Sequence, residues 1–359
     1  MKYKLKDIAD ITMGQSPKGK SYNNKKEGKA FLQGRKTFGR MYTTIDTWTT
    51  EPKKIAKSGS VLMSVRAPVG DINIANDEIC IGRGLCSINA KNGNNRYLYY
   101  LLLYNKANIT KKSSGTVFDS INKEQLEETI LNVHKDKEQS KIASILNNID
   151  EKIELNSHTN NNLYEIGLSL IEEEYNSINK TEKLQNIIKF TKGKKPVKIV
   201  KYKDKNYDKY LTIACLNYQE LNYANKEKMI LAQNDILMVM DGASSGEVYY
   251  SDCGIVGSTF ARIDIINKTF TKEYMFFILK KYTDLIKTKN TGSAIPHADK
   301  AFINLLSVPI LSIENQKKYC TILKKIQQNE HKIRNLMIIR DTLLPKLMNG
   351  EIDLDKIEI

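Results

Sequence analysis

The residues GQSPKGKS, Gly14 to Ser21, have the G-x-x-x-x-G-K-S spacing in which a glycine-rich loop wraps phosphates and a lysine neutralises them. A distant ILMVMD, Ile236 to Asp241, imitates the hydrophobic run and acid that accompany such a loop. That chemistry needs a helix whose N-terminus meets the phosphates. The residues after Ser21, YNNKKEGKAF, are polar and broken by Gly28, so no such helix is expected and an NTPase is the weaker enzyme reading. The four histidines (His134, His158, His297, His331) and five cysteines (Cys80, Cys86, Cys215, Cys253, Cys320) show no C-x-x-C or other zinc-like spacing, so no metal site is expected. H-E-x-x-H, a G-x-S-x-G elbow and the paired-proline motif of amino-methyltransferases are all missing from the sequence. No catalytic residues are expected.

What remains is charge. The 359 residues carry 56 Lys and Arg against 41 Asp and Glu, a formal +15, which points to an acidic partner and to nucleic acid first. A genome biased toward Lys, Asn and Ile is the competing explanation. Mean hydropathy is −0.45. The longest apolar run, Tyr97 to Tyr104, falls well short of the ~18 residues a membrane span needs. No apolar stretch precedes the first acid, so the expectation is a cytoplasmic protein with no membrane partner. At roughly 100–200 residues per domain, two domains are expected.

The elements that must position any binding residues are written twice. KLKDIADITMGQSP from Lys4 aligns with KLQNIIKFTKGKKP from Lys183, and GSVLMSVRAPVGD from Gly59 with NDILMVMDGASSGE from Asn234. RYLYYLL from Arg96 answers EYMFFIL from Glu273, Gly115 and Thr116 answer Gly292 and Ser293, and EQSKIASILNNI from Glu138 answers NQKKYCTILKKI from Asn315. Five blocks recurring in one order indicate duplication. In the second copy the phosphate-loop string loses its second Gly and its Ser, and Arg66 stands opposite Asp241.

Each copy opens with short β-branched runs and Gly-rich turns, among them SVLMSV, DINIA and EICIGRG, followed by NRYLYYLLLYNKAN or KEYMFFILKKYTDLI, whose apolar length reads as a buried helix. Each closes on a heptad stripe. The first stripe holds Ile142, Leu146, Ile149, Ile153, Leu163 and Leu170, with Asn156, Asn160 and Gly167 at the intervening positions. The second holds Ile322, Ile326, Ile333, Leu336, Leu343 and Leu347, with Asn329 and Arg340 between them, Pro345 limiting the last turn and Gly350 as a cap. Polar seam residues would fix register at some cost in stability. The expected architecture is α+β: two homologous mixed α/β recognition domains related by pseudo-two-fold symmetry, separated by a long antiparallel two-helix coiled coil. The boundaries are 1–137 and 181–313 for the domains, 138–180 for the first spacer helix and 314–359 for the second with its tail. About 33 helical residues at ~1.5 Å each would span roughly 50 Å, enough to set two readers about one turn of DNA apart.

FLQGRKTFG from Phe31, SGSVLMSVRAPVGDINIANDEICIGRGL from Ser58, SSGTVFDSINKEQL from Ser113, TGSAIPHADKAFINLLSVPI from Thr291 and IRDTLLPKLMNGEID from Ile339 together resemble the specificity subunits of type I restriction-modification enzymes, over nearly the whole chain. The resemblance implies two target recognition domains that read the halves of a split double-stranded DNA sequence. It implies a chain that is not itself catalytic and carries no cofactor. The partners it implies are two methyltransferase subunits using S-adenosylmethionine, with restriction/translocase subunits using ATP and Mg as further members. One departure is NVHKDKEQ before the first long helix, which lacks the Pro of SVPILSIENQ. A basic coiled-coil adaptor for proteins or RNA is the alternative.

Base readout needs Arg, Lys, Gln, Asn or Ser at base edges, whereas phosphate contacts only position a protein. In the first copy Gln33, Arg35, Lys36, Arg66 and Arg83 lie in Gly-flanked segments and are the candidate base readers, with Lys111, Lys112, Thr116 and Lys123 at the backbone. The second copy offers Asn217, Ser244, Ser245 and Arg262 for bases, and Lys194, Lys195, Ser293, His297 and Lys300 for phosphates.

Overall fold

The repeated sequence runs fold into repeated strands. In a computed structural model that describes residues 1–111, 120–292 and 295–357, the chain divides into two compact units, Met1–Leu155 with Asn335–Ile359, and Asn156–Arg334. The first unit has an antiparallel four-stranded sheet in the order Ala9–Met13, Leu85–Ala90, Val61–Ser64, Ile72–Ile74. The second has Ile188–Lys192, Phe260–Ile265, Ile236–Val239, Val248–Tyr250 in the same order. A five-stranded sheet follows the same rule. Its order is Tyr22–Asn23, Trp48–Thr49, Lys29–Leu32, Ile79–Ile81, Ile55–Ala56 in one unit, and Ile199–Val200, Tyr223–Asn225, Tyr207–Leu211, Gly254–Val256, Leu231–Ala232 in the other. Both contain a single parallel pairing, at Lys29–Leu32 with Ile79–Ile81 and at Tyr207–Leu211 with Gly254–Val256. Identical topology, including that pairing, is what duplication of one ancestral unit produces.

The central strands read as continuous apolar runs because both of their faces are covered, and alternate residues serve opposite faces. Val61 and Met63 pack with the helix Asn95–Tyr104, whereas Leu62 turns to Leu32, Ile79 and Ile81 of the five-stranded sheet. In the second unit Ile236 and Met238 face the helix Lys272–Lys281, and Leu237 and Val239 face Leu211 and Val256. Each covering helix starts at a matched cap: Asn94 accepts from Tyr97 N and Thr271 accepts from Tyr274 N.

The two heptad stripes form helices Asp136–Ser177 and Ile313–Met348, and each unit holds one half of each. The reading of 138–180 as a separate spacer therefore differs from this division, because each half-helix packs into the core beside it. In the first unit Ile142 and Leu146 join the same cluster as Leu344, Leu347 and Met348. Arg340 meets Asp150 and Lys141 meets Leu354 O, so the two segments run antiparallel. In the second unit Lys318 pairs with Glu174, and Asn329 donates to Asn160 Oδ1 at 2.9 Å, again antiparallel, with both asparagines buried. Ile153, Ile326, Ile333 and Leu347 are buried, while Ile149, Leu163, Leu170, Ile322, Leu336 and Leu343 are partly covered. Ala143, Ile171, Leu323 and Leu344 are buried off the two-position seam, because these helices cover a domain as well as each other. The second long helix runs through Pro345 and stops at Gly350, whose φ of +71° is the left-handed cap a glycine adopts freely.

Two buried glutamines missed by sequence reading fasten the start of each long helix. Gln139 Nε2 donates to His134 O at 2.9 Å, and Gln316 Nε2 donates to Thr269 O at 2.7 Å. Before the first long helix, strand Ile130–Asn132 pairs with Lys2–Lys4 as Ser307–Pro309 pairs with Thr181–Lys183, so the missing Pro leaves the pairing intact. His134 N donates to the Tyr97 hydroxyl at 3.0 Å, and that hydroxyl lies 2.8 Å from His134 Nδ1. Burial pushes the Tyr97 hydroxyl up to about 12, so it keeps its proton. Burial also lowers the His134 pKa from 6.5. The unfolded chain therefore binds this proton more readily, and stability is expected to fall as pH drops below about 6.5. Urea midpoints between pH 8 and pH 5 check this, and His134→Gln should flatten that part of the profile.

Candidate nucleic-acid interface

Three glycine-bearing loops meet at one end of the sheets in the first unit. Gly14 N donates to Leu85 O at 2.9 Å, Gly82 N to Leu32 O at 2.8 Å, and Gly84 N to Gln33 O at 3.2 Å. A Cβ on Gly14 would sit 2.2 Å from Gly82 O, so the crossing requires glycine. The second unit repeats the device: Gly193 N donates to Phe260 O at 2.9 Å, Gly257 N donates to Leu211 O at 3.0 Å, and a Cβ on Gly193 would lie 2.2 Å from Gly257 O.

This crossing brings Gln33 and Arg83 together. Ser16 Oγ donates to Gln33 Oε1 at 3.0 Å and accepts from Arg83 N at 3.1 Å, a link with no signal in the sequence. Arg35 and Lys36 begin the 3-10 turn Arg35–Thr37, where Arg35 forms an ion pair with Asp71, which also holds Lys106 at 2.5 Å. Arg66 is exposed and pairs by backbone with Ser120. Lys111 is exposed after the helix Lys106–Thr110, and Lys123 opens the helix Lys123–Glu127 and pairs with Glu127 at 3.4 Å. Lys112, Thr116 and Ser293 lie outside the described residues.

In the second unit Lys194 and Lys195 are exposed directly after Gly193, and Asn217 is exposed at the end of the helix Ile213–Leu216. His297 takes the place of Ser120 and pairs by backbone with Asp241, the counterpart of Arg66. Its Nδ1 is 2.8 Å from Asp241 Oδ1, and Lys192 pairs with the other oxygen. Burial pushes the Asp241 carboxyl up, but the bonds from Lys192 and His297 outweigh it and hold the pKa below its ordinary value. Lys300 starts the helix Lys300–Leu305, as Lys123 does in the first unit, and lies over the Phe190 ring at 5.7 Å.

Two expected base readers are corrected. Ser245 is fully buried and accepts from Asn290 Nδ2 at 2.6 Å, so it braces a turn and presents nothing to a base. Arg262 lies on a sheet strand with its Nε donating to Asp264 at 2.7 Å and Nη1 to Leu231 O at 2.5 Å, which ties down the fork that readout would use. Ser244 is half-buried, and its carbonyl accepts from Glu247 N in the same turn. The phosphate-loop string forms only the 3-10 turn Gly19–Ser21 before strand Tyr22–Asn23, and Ser21 is buried against Thr49. Among the described residues, strands and not an α-helix follow it. Among the described residues no group of three or more His, Cys, Asp or Glu could hold a metal ion, and no helix is long and apolar enough to cross a membrane.

The model of the type I restriction modification DNA specificity domain matches residues 1–165 and again 176–337, one match for each repeat. The chain belongs to this family. It is 43% identical over 147 residues to a putative type I restriction enzyme MjaX specificity subunit of Methanocaldococcus jannaschii, covering 40% of this chain and 35% of that protein. To the MjaVIII specificity subunit of the same organism it is 32% identical, over 39% of this chain and 34% of the other. The alignments thus span about a third of the length of these two relatives. The MjaIX specificity subunit matches more of the chain, 85% of it and 80% of the relative, at 24% identity. In fold, the chain is similar to the crystal structure of a type I restriction-modification S subunit from M. genitalium, with a TM-score of 0.59 and 20% identity over 97% of this chain and 95% of that one. A specificity-domain pair in one chain accounts for both the duplication and the two equivalent loop sets.

Proposed function

We propose that this chain is a non-catalytic specificity subunit, each unit of which reads one half of a split double-stranded DNA sequence. It would deliver that DNA to two methyltransferase subunits using S-adenosylmethionine. Restriction/translocase subunits using ATP and Mg would complete the complex. The observation that carries this reading is one frame with two sets of side chains. At matched backbone positions, Arg66 and Ser120 in the first unit correspond to Asp241 and His297 in the second, and Arg83 corresponds to Ser258. Equivalent loops with different donors and acceptors are what two different half-sequences require.

Energetics favour two readers. A mismatched pair costs about 1–3 kcal/mol, so three or four positions in one unit select weakly, whereas two units engaged at once multiply their selectivity. The test titrates the purified chain with duplex DNA and with RNA across a salt series. Affinity for duplex should fall linearly on a log–log plot as phosphate-bound counterions are released, and duplex should be preferred to RNA. Equal or stronger binding of RNA would favour the adaptor reading instead.

A further inference from the structure

We infer that Asp71 is a positioning residue that orients Arg35 to read a guanine, which places a G·C pair in the half-site served by the first unit. The inference rests on the reading of the chain as a DNA-recognition subunit. Asp71 is itself rigidly placed. Its backbone N donates to Ser64 Oγ at 2.9 Å, its carbonyl accepts from Ser64 N at 2.8 Å, and Ser64 Oγ donates on to Pro68 O at 2.8 Å. Gly70 beside it has a φ of +88°, and a Cβ there would lie 2.6 Å from Thr110 Cγ2. The helix Lys106–Thr110 can therefore close onto the glycine and set Lys106 Nζ 2.5 Å from Asp71 Oδ1. That leaves Oδ2 for Nη1 of Arg35.

The carboxylate uses one corner of the planar guanidinium. Among the described residues nothing bonds the Nε and Nη2 edge, and the Arg35 side chain is 50% exposed. That edge is the parallel donor pair that fits the O6 and N7 acceptors of guanine. The second unit shows what the fold alone requires. There Glu247 takes the place of Asp71, Gly246 has a φ of +94°, and Lys287 reaches the acid at 2.9 Å. The other partner of Glu247 is the Tyr249 hydroxyl, 2.9 Å away on the strand that begins at the next residue. The acid and lysine are the shared scaffold, and an arginine brought to that scaffold from a separate loop is peculiar to the first unit.

The experiment selects duplexes from a randomised double-stranded pool with the full-length chain. Base-substituted duplexes are then titrated against wild type, Arg35→Lys, Asp71→Asn and Asp71→Glu. Wild type should prefer G·C at one position by about ten- to a hundredfold. Arg35→Lys keeps the charge but loses the fork, and should lower that preference to about threefold or less while leaving the other half-site unchanged. Asp71→Asn should weaken the same position alone, and Asp71→Glu should recover part of it. Full preference at every position in both Arg35→Lys and Asp71→Asn overturns the inference. So does a loss spread evenly over the half-site, which marks a structural ion pair. Should Asp71→Asn unfold, Arg35→Lys decides alone, since its side chain is half exposed. A wild-type chain that selects no sequence defeats the underlying reading of function instead.

Discussion

Deleting residues 335–359 is expected to unfold the first unit while leaving Asn156–Arg334 cooperative. Although it lies far away in sequence, this segment completes that unit's core: Leu344, Leu347 and Met348 pack in one cluster with Leu5, Leu98, Ile142 and Leu146. Fully burying a side chain of this size is worth about 1.5–3 kcal/mol. Losing three, together with the partner of Asp150, approaches the 5–15 kcal/mol that holds a typical domain folded. In a melt followed by circular dichroism, the truncated chain should lose one transition and keep the other. Adding residues 335–359 back as a peptide should restore part of the lost signal. Two undisturbed transitions in the truncated chain would show that the first unit is complete without this segment.

Arg340→Met is expected to cost about 3–5 kcal/mol in the same unit, because it strands a buried charge. Asp150 keeps only 3% of its side chain exposed. Its two oxygens accept from Arg340 Nη1 at 2.9 Å and from the Tyr100 hydroxyl at 2.7 Å. Burial and the neighbouring carboxylate push the Tyr100 pKa far above its ordinary value, so the hydroxyl remains a donor. Without the guanidinium, the buried Asp150 carboxylate loses its countercharge and must draw water into the core. The paired replacement Asp150→Leu with Arg340→Met removes both charges and should recover part of the loss, the remainder being the cost of leaving the buried Tyr100 hydroxyl without its acceptor. Denaturant unfolding of the four chains measures the coupling. A cost below about 1 kcal/mol for the single change would class the pair with ordinary surface bridges.

These expectations show where the sequence was informative. Ordered blocks such as those from Lys4 and Lys183 foretold two units of one topology, because duplication preserves the spacing of strands and turns. The heptads placed Asn160, Asn329 and Arg340 in a seam, and the structure pairs the first two with each other and the third with Asp150. The stripe did not reveal how far each helix belongs to a domain. Ile171 and Leu323 are buried by tertiary packing at positions outside that repeat. Individual site residues were less legible. Ser245 and Arg262 have the right chemistry for readout, but a polar residue in a Gly-rich turn or on a strand can equally serve its own fold. Ser16, Asp71 and Lys106 went unnoticed because their roles arise only when loops distant in sequence meet. A search for acids repeated at matched positions, such as Asp71 with Glu247, could have found one of them.

The central claim is that two related units in this chain read two separate pieces of one DNA sequence. Co-expression with the proposed methyltransferase subunits, followed by sequencing of modified bases across the host DNA, tests it most directly. The predicted result is a single motif made of two short specified blocks separated by an unspecified gap of constant length. Replacing the loop residues Gln33, Arg35 and Arg83 should alter one block only. Modification at one uninterrupted motif, or changes in both blocks from those substitutions, would contradict it.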